Sequence, residues 1–193
     1  MFKIVLATAN KHKVEEINAI CEGFGIKFIM PPKGFDPIED GKIFEENALI
    51  KAKAANKLTG LPSLADDSGL CVDALKGFPG IFSARYAKTQ SEKIKKILAE
   101  MKNIPNENRG AKFVCAMVLL DKDGKILFQT RGECHGKIAL EAKGQNGFGF
   151  DPIFIVKGGN STMAELSEEE KNKISHRGIA LQKVLNYTNK KLI

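Results

Sequence analysis

Residues 2–8, Phe-Lys-Ile-Val-Leu-Ala-Thr, form a short apolar run that ends in a polar turn. A run that is continuous rather than alternating is the pattern of a parallel strand buried on both faces. Val14, Ile17, Cys21 and Phe24 then recur at helical spacing. Strand, turn and helix in that order open an α/β unit. Gly23 and Gly25 close the helix, and residues 26–30 read as a second strand. With 193 residues the chain is long enough to bury a real core, and one domain spanning 1–193 is expected.

Further along, residues 31–41 are loop-rich and acidic at Asp36, Glu39 and Asp40. An Ala-rich helix is predicted over 43–58, stopped by Gly60 and Pro62. A short strand over 63–66 is expected to run into a turn at Asp66-Asp67-Ser68-Gly69. Gly77-Phe78-Pro79-Gly80 reads as another turn, and residues 90–101 as a helix. Residues 112–120 and 125–131 are β-rich around the hairpin signal Asp121-Lys122-Asp123-Gly124. A third strand is expected over 150–156 and a closing helix over 177–192. No repeat, low-complexity tract or inter-domain linker interrupts the chain.

Apolar residues at 43% and charged residues at 27% exclude a disordered or fibrous chain. The longest apolar run, near residues 113–120, is far short of a membrane span. The N-terminus lacks a signal-peptide core and cleavage pattern, so a cytoplasmic protein with no membrane partner is expected. Cys21, Cys71, Cys115 and Cys134 form no Cys-x-x-Cys pair and read as buried free thiols. A net charge of +7 attracts phosphates, on a small nucleotide or on a nucleic acid. The basic residues are scattered, Tyr is scarce and Trp absent, so an aromatic platform for single strands is poorly supplied.

Four segments carry candidate chemistry. Thr8, Ala9, Asn10, Lys11, His12 and Lys13 stand where a strand meets a helix N-terminus, where free N–H groups and the helix dipole favour anions. A plain capped helix with solvated lysines is the competing reading. Asp66 and Asp67 follow a buried strand, where α/β folds place ligands. Magnesium takes one or two carboxylates plus substrate phosphates, while an Asx turn explains the same letters without a ligand. Along a strand the two side chains should point to opposite faces. Phe148-Gly149-Phe150-Asp151 joins rings that can stack on a base to a carboxylate that can bond a purine edge or a lysine, or else forms an aromatic core strand. Arg177, donor-only and always charged, suits carbonyl or phosphate recognition. His176 beside it serves as donor, general base or structural residue. Neither a Walker A loop nor a Gly-x-Gly-x-x-Gly fingerprint is present.

Taken together, residues 8–13 (TANKHK), 44–48 (FEENA), 64–87 (LADDSGLCVDALKGFPGIFSARYA), 148–154 (FGFDPIF) and 169–181 (EEKNKISHRGIAL) resemble the inosine/xanthosine triphosphate pyrophosphatase family, over nearly the whole chain and in order. The resemblance implies an elongated mixed central β-sheet flanked by helices, with two lobes, a nucleotide cleft between them and a homodimeric state. It implies hydrolysis of ITP, dITP and XTP to the monophosphate and pyrophosphate, which keeps these nucleotides out of DNA and RNA. Residues 8–13 would bind the triphosphate, with Lys51 a phosphate lysine and Ser68 a substrate contact. Asp67 would be the catalytic carboxylate and, with Glu39, a ligand to Mg2+. Phe148, Gly149, Phe150, Asp151, Lys171, His176 and Arg177 would recognise the base. Ala9 stands where Gly is common in the family, and Phe150 where Tyr or Trp is common.

Base choice follows from donors and acceptors. Hypoxanthine and xanthine carry an acceptor oxygen at position 6, where adenine carries a donor amine. Donors from His176 or Arg177 suit the oxygen and are left unpaired by adenine. A Maf-like pyrophosphatase is disfavoured by the Ser-His-Arg and FGFDP blocks. A nucleic-acid-binding module has no reason to keep paired carboxylates. A catalytically silent nucleotide binder has none to keep Lys13, Asp67 and Lys171 together.

Overall fold

The computed structural model describes residues 2–9, 11–21 and 23–191. Its elements are β1 (Phe2–Leu6), α1 (Lys11–Ile20), β2 (Ile26–Ile29), α2 (Phe44–Thr59), β3 (Ser63–Val72), α3 (Gln90–Glu100), β4 (Gly110–Leu120), β5 (Ile126–Ile138), β6 (Phe154–Val156), α4 (Glu168–Ile174) and α5 (His176–Lys191). One six-stranded sheet runs in the order β2-β1-β3-β4-β5-β6. β1 pairs parallel with β2 and β3, and β5 pairs antiparallel with β6, so the sheet is mixed. This is the α/β architecture expected from the opening strand and helix. Among the described residues no helix is long and apolar enough to cross a membrane.

The chain divides into two compact units. The first holds residues 1–67, 116–131 and 180–193, and the second residues 68–115 and 132–179.

In the first unit, Ala48, Ala52 and Ala55 of α2 are fully buried with Val5, Ala65, Val118 and Leu120. Alanines three and four apart make one narrow stripe, so the helix backbone lies close to its neighbours. Ser63 Oγ donates to Ala52 O at 2.8 Å and fixes the start of β3 against that stripe. α2 stops at Gly60, whose φ of 67° and N–H bond to Asn56 O make a left-handed cap. Asn56 Nδ2 in turn donates to Leu61 O and Asp121 O, both at 2.9 Å, holding the turn between β4 and β5.

In the second unit, Leu70, Val72, Tyr86, Ile97, Met101, Phe113, Phe150, Phe154 and Met163 share one core. α3 starts at a capping box in which Glu92 N–H bonds the Thr89 hydroxyl and Glu92 reaches back to the Thr89 N–H. Arg109 is 2% exposed. Its guanidinium donates to Met101 O at 2.6 Å, Ala139 O at 2.8 Å and Ile138 O at 2.9 Å. One side chain thereby satisfies carbonyls from the end of α3 and the end of β5.

Three expectations change. Asp66-Asp67-Ser68-Gly69 is not a turn, because β3 runs through it to Val72. Contacts distant in sequence override the turn-forming letters. Leu70 N–H donates to Ser83 Oγ at 2.9 Å, and a Cβ on Gly69 would stand 2.2 Å from Gly80 O. Gly69 therefore permits a close approach rather than a turn. The last strand is shorter than expected, because Asp151, Pro152 and Ile153 form a 3-10 turn with Pro in its first positions. α4 was not anticipated, although Ser167 and Glu170 form its capping box.

Replacing Arg109 with Met should strip the guanidinium from three buried carbonyls, of which Met101 O keeps the Ile104 N–H. We expect a loss of about 3 kcal/mol or more, measured by guanidinium denaturation. A change under about 1 kcal/mol would show that water or relaxation satisfies those groups.

Candidate functional site

In the first unit one face of α2 and the middle of β3 meet around Asp67. Asn47 and Lys51 lie one helical turn apart, so both project to the same side. Asn47 Nδ2 donates to Asp67 Oδ2 at 3.2 Å, and Lys51 Nζ to Asp67 Oδ1 at 3.4 Å. Each carboxylate oxygen is therefore gripped from the same helix. Lys51 Nζ also pairs with Glu39 Oε1 at 3.3 Å, which brings in the acidic loop before α2. Glu39 and Asp67, expected to share a metal, and Lys51, expected on phosphate, form one cluster in which the lysine pairs with both carboxylates. Asn47 was missed. A polar residue four before a lysine on an Ala-rich helix was the available signal.

The electrostatics of the cluster are lopsided. Burial holds the Asp67 carboxyl above the usual carboxylate range. Lys51 and the Asn47 hydrogen bond pull it down, while Glu39 and Asp66 push it up. Burial draws the Lys51 ammonium down, but Asp66, Asp67 and Glu39 together hold it above its ordinary value. The Lys51 ammonium thus pairs with Glu39 and Asp67 and also feels the charge of Asp66. Asp66 and Asp67 are both buried in β3, and Ser68, next along the strand, is half-buried.

Among the described residues no three His, Cys, Asp or Glu side chains stand together as a closed metal site. Glu39 and Asp67 offer carboxylate oxygens, the donor type of a hard divalent ion such as magnesium, which takes its remaining ligands from water and phosphate.

In the second unit, Asp151 organises another set. Asp151 Oδ2 accepts from Lys171 Nζ at 2.5 Å and from Phe148 N–H at 2.8 Å. Gly147, at φ 72°, has no room for a Cβ, which would stand 2.2 Å from Asp151 Oδ2. Lys171 Nζ and the Arg177 guanidinium carbon lie 4.5 Å and 5.5 Å from the centroid of the Phe148 ring. Phe148 is half exposed, whereas Phe150 is buried against Tyr86, so of the two rings only Phe148 presents a surface for stacking. Gly149 between them takes a left-handed φ of 64°. His176 lies flat on Phe113, with centroids 4.8 Å apart and planes within 13°. Ser175 ends α4 and accepts the Gly178 N–H at 3.0 Å. A Cβ on Gly178 would stand 1.9 Å from Asn172 O, so α5 begins hard against α4.

The segment after β1 is only partly described. Thr8 is half-buried and Ala9 exposed. Lys11 pairs with Glu15 at 3.2 Å on the surface of α1. Asn10 lies outside the described residues, as do the side chains of His12 and Lys13, which begin α1.

Fold and donor sets together define a mixed-sheet α/β protein with an oxygen-only acidic centre and a cation-bearing aromatic patch. The chain belongs to the Ham1 family, whose model matches residues 4–187. It is 49% identical over 188 residues to the dITP/XTP pyrophosphatase of Haemophilus ducreyi, covering 93% of this chain and 94% of that one. It is 48% identical over 187 residues to the dITP/XTP pyrophosphatase of Geobacter sulfurreducens, covering 94% of each. Among solved structures, a HAM1 protein from Coxiella burnetii superposes with a TM-score of 0.90 at 42% identity, covering 98% of this chain and all of that one. The Staphylococcus aureus Ham1 protein gives 0.89 at 38% identity, covering 98% and 99%.

Asp67 makes a pH-dependent contribution with a definite sign. A carboxyl raised on folding binds its proton more tightly in the folded state. Its stabilising contribution is therefore full at low pH and is lost as pH rises from the ordinary carboxylate value through the raised one. Asp67→Asn removes this loss. Without divalent ions, the variant's Tm minus that of wild type should grow more positive from about pH 4 to about pH 8. A difference that shrinks with pH would reverse the balance assigned to burial and Lys51.

Proposed function

We propose that this chain is a nucleoside triphosphate pyrophosphatase that hydrolyses dITP, ITP and XTP to the monophosphate and pyrophosphate. The carrying observation is the Asp67 carboxylate, buried, raised and held at both oxygens by Asn47 and Lys51, with Glu39 on the same ammonium. The Ham1 family membership and the dITP/XTP pyrophosphatase relatives support it over nearly the full chain.

Water attacks the α phosphorus, and the bridging oxygen leaves with pyrophosphate. Asp67 takes the proton from that water, a task that suits a carboxylate made more basic by burial. Lys51 steadies Asp67 and places a positive charge for the phosphates. We assign Asp67 and Glu39 as the residues that would hold Mg2+, which when bound would offset phosphate charge. The main-chain N–H groups at the start of α1 add an anion-binding end, with Thr8, Ala9, Asn10, Lys11, His12 and Lys13 as the proposed contacts and Ser68 another.

Base recognition is assigned to the second unit's set. Phe148 supplies an exposed ring, and Lys171 is fixed by Asp151. Arg177 provides donors that cannot be lost by deprotonation. A 6-oxo purine accepts from such donors, and adenine's 6-amine leaves them unpaired. A homodimeric state and residence in the cytoplasm belong to the same proposal, and gel filtration and cell fractionation test them.

With Mg2+, kcat/KM for dITP and XTP should exceed that for ATP by about 10²-fold or more, since an unpaired buried donor is costly. GTP shares the 6-oxygen and escapes this penalty, and it should also be poor only through its 2-amino group. EDTA should abolish turnover and Mg2+ restore it. Asp67→Asn should lower turnover by about 10²-fold, ~2.7 kcal/mol of barrier. Equal hydrolysis of ATP and dITP, or release of orthophosphate instead of pyrophosphate, would overturn the reading.

The division of labour has its own test. Arg177→Ala should shrink the dITP/ATP ratio of kcat/KM as well as the rate. Lys13→Ala should depress all triphosphates alike, because a phosphate contact does not read the base. A larger change of ratio in Lys13→Ala would reverse the two assignments.

A further inference from the structure

Asn47 is 0% exposed, yet neither the phosphate chemistry nor base recognition assigns it a task. A carboxamide removed from water has to place both its ends. Its Oδ1 accepts the Gly41 N–H at 2.8 Å, and its Nδ2 donates to Asp67 Oδ2 at 3.2 Å. Chemistry fixes the orientation. The Gly41 N–H that faces it can only donate and an ionised Asp67 can only accept, so a flipped amide would oppose like to like at both ends.

We propose that Asn47 is a positioning residue that locks the Glu39-Asp40-Gly41 loop and the Asp67 carboxylate into one fixed arrangement for hydrolysis. The proposal rests on the reading of Asp67 and Glu39 given above.

Three features distinguish this role from plain helix capping. First, Ile43 at the N-cap of α2 makes no side-chain cap bond, and Glu46 takes up the neighbouring loop N–H, that of Lys42, at 2.7 Å. Glu46 therefore anchors the loop without touching Asp67, whereas Asn47 does both. Second, the loop has no slack at the junction. A Cβ on Gly41 would stand 2.6 Å from Asn47 Oδ1, 2.8 Å from Glu46 Cβ and 2.9 Å from Asn47 N. Third, Lys51 makes the parallel pair of contacts one turn later, to Glu39 and to the other Asp67 oxygen. Lys51 is a charged, flexible side chain that arriving phosphates will draw on. Asn47 is neutral and short, with nothing to offer a phosphate that it does not already spend on Asp67. It is the tie that persists through the reaction.

The test compares Asn47→Leu, Asn47→Asp and Glu46→Ala with wild type on dITP. Leu keeps the volume and neither bond. Asp is nearly isosteric and can keep the Gly41 bond, but sets an oxygen against Asp67, and it serves where Leu impairs folding. Both Asn47 variants should lose kcat by about 10-fold or more with KM changed less than about threefold, the signature of a lost reacting-state arrangement. Glu46→Ala should stay within about twofold of wild type. Without nucleotide or metal, hydrogen exchange at the Gly41 amide should speed up in Asn47→Leu and remain slow in Asn47→Asp. Wild-type kcat in the Asn47 variants overturns the proposal, as does an equal loss in Glu46→Ala, which would reduce the effect to loop anchoring. If wild type itself leaves dITP intact, the underlying reading falls and takes this proposal with it.

Discussion

Lys51 is the charge around which the first unit's chemistry is arranged. Glu39 comes from a loop, Asp66 and Asp67 from the middle of a strand, and each would be costly to bury alone. The lysine projects from α2 because alanines let that helix lie close to β1 and β3, and it reaches the two carboxylates with which it makes direct pairs. Its charge offsets part of the cost of burying Glu39 and Asp67, and burial strengthens each pairing by removing the solvent that would screen it. Packing small enough to admit a buried lysine is thus the precondition for the electrostatics, and the electrostatics for the chemistry.

The second unit uses the opposite balance. Around Phe148 the cations Lys171 and Arg177 outnumber the carboxylate Asp151, and Asp151 spends one oxygen on both Lys171 and the Phe148 backbone. An aromatic face bordered by donors suits a flat ligand rich in acceptor oxygens, and in the proposed role it would discriminate by leaving donors stranded when the acceptor is missing. The rigidity of this set comes from backbone crowding at Gly147 and Gly178, where a single added carbon would collide with its neighbours.

Much of this was legible in the sequence, for reasons that differ by element. β1, β2, α2, α3 and the hairpin of β4 and β5 follow from local periodicity and turn letters, and those signals agree with the final packing. The centre of β3 was misread because Asp-Asp-Ser-Gly has turn chemistry, while its true conformation is set by Gly80 and Ser83, more than ten residues away. Phe150 was grouped with Phe148 because alternation along a chain does not say which ring meets the core. Glu39 and Asp67 were paired as metal ligands by family resemblance, but the lysine that bridges them, Lys51, was assigned to phosphate alone, and that bridge was invisible without coordinates. Asn47 was overlooked because a buried amide looks, in sequence, like any polar residue on a helix. The capping box of α4 was readable at Ser167 and Glu170 and went unused.

The chain passes between its two units at residues 67/68, 115/116, 131/132 and 179/180. No single cut separates them. A stop codon anywhere from 132 to 179 removes chain from both. Neither unit can be inherited, duplicated or lost as one contiguous stretch of gene. The two units are therefore bound into one hereditary package: evolution can retune either by substitution but cannot exchange a whole unit by recombination at a single point.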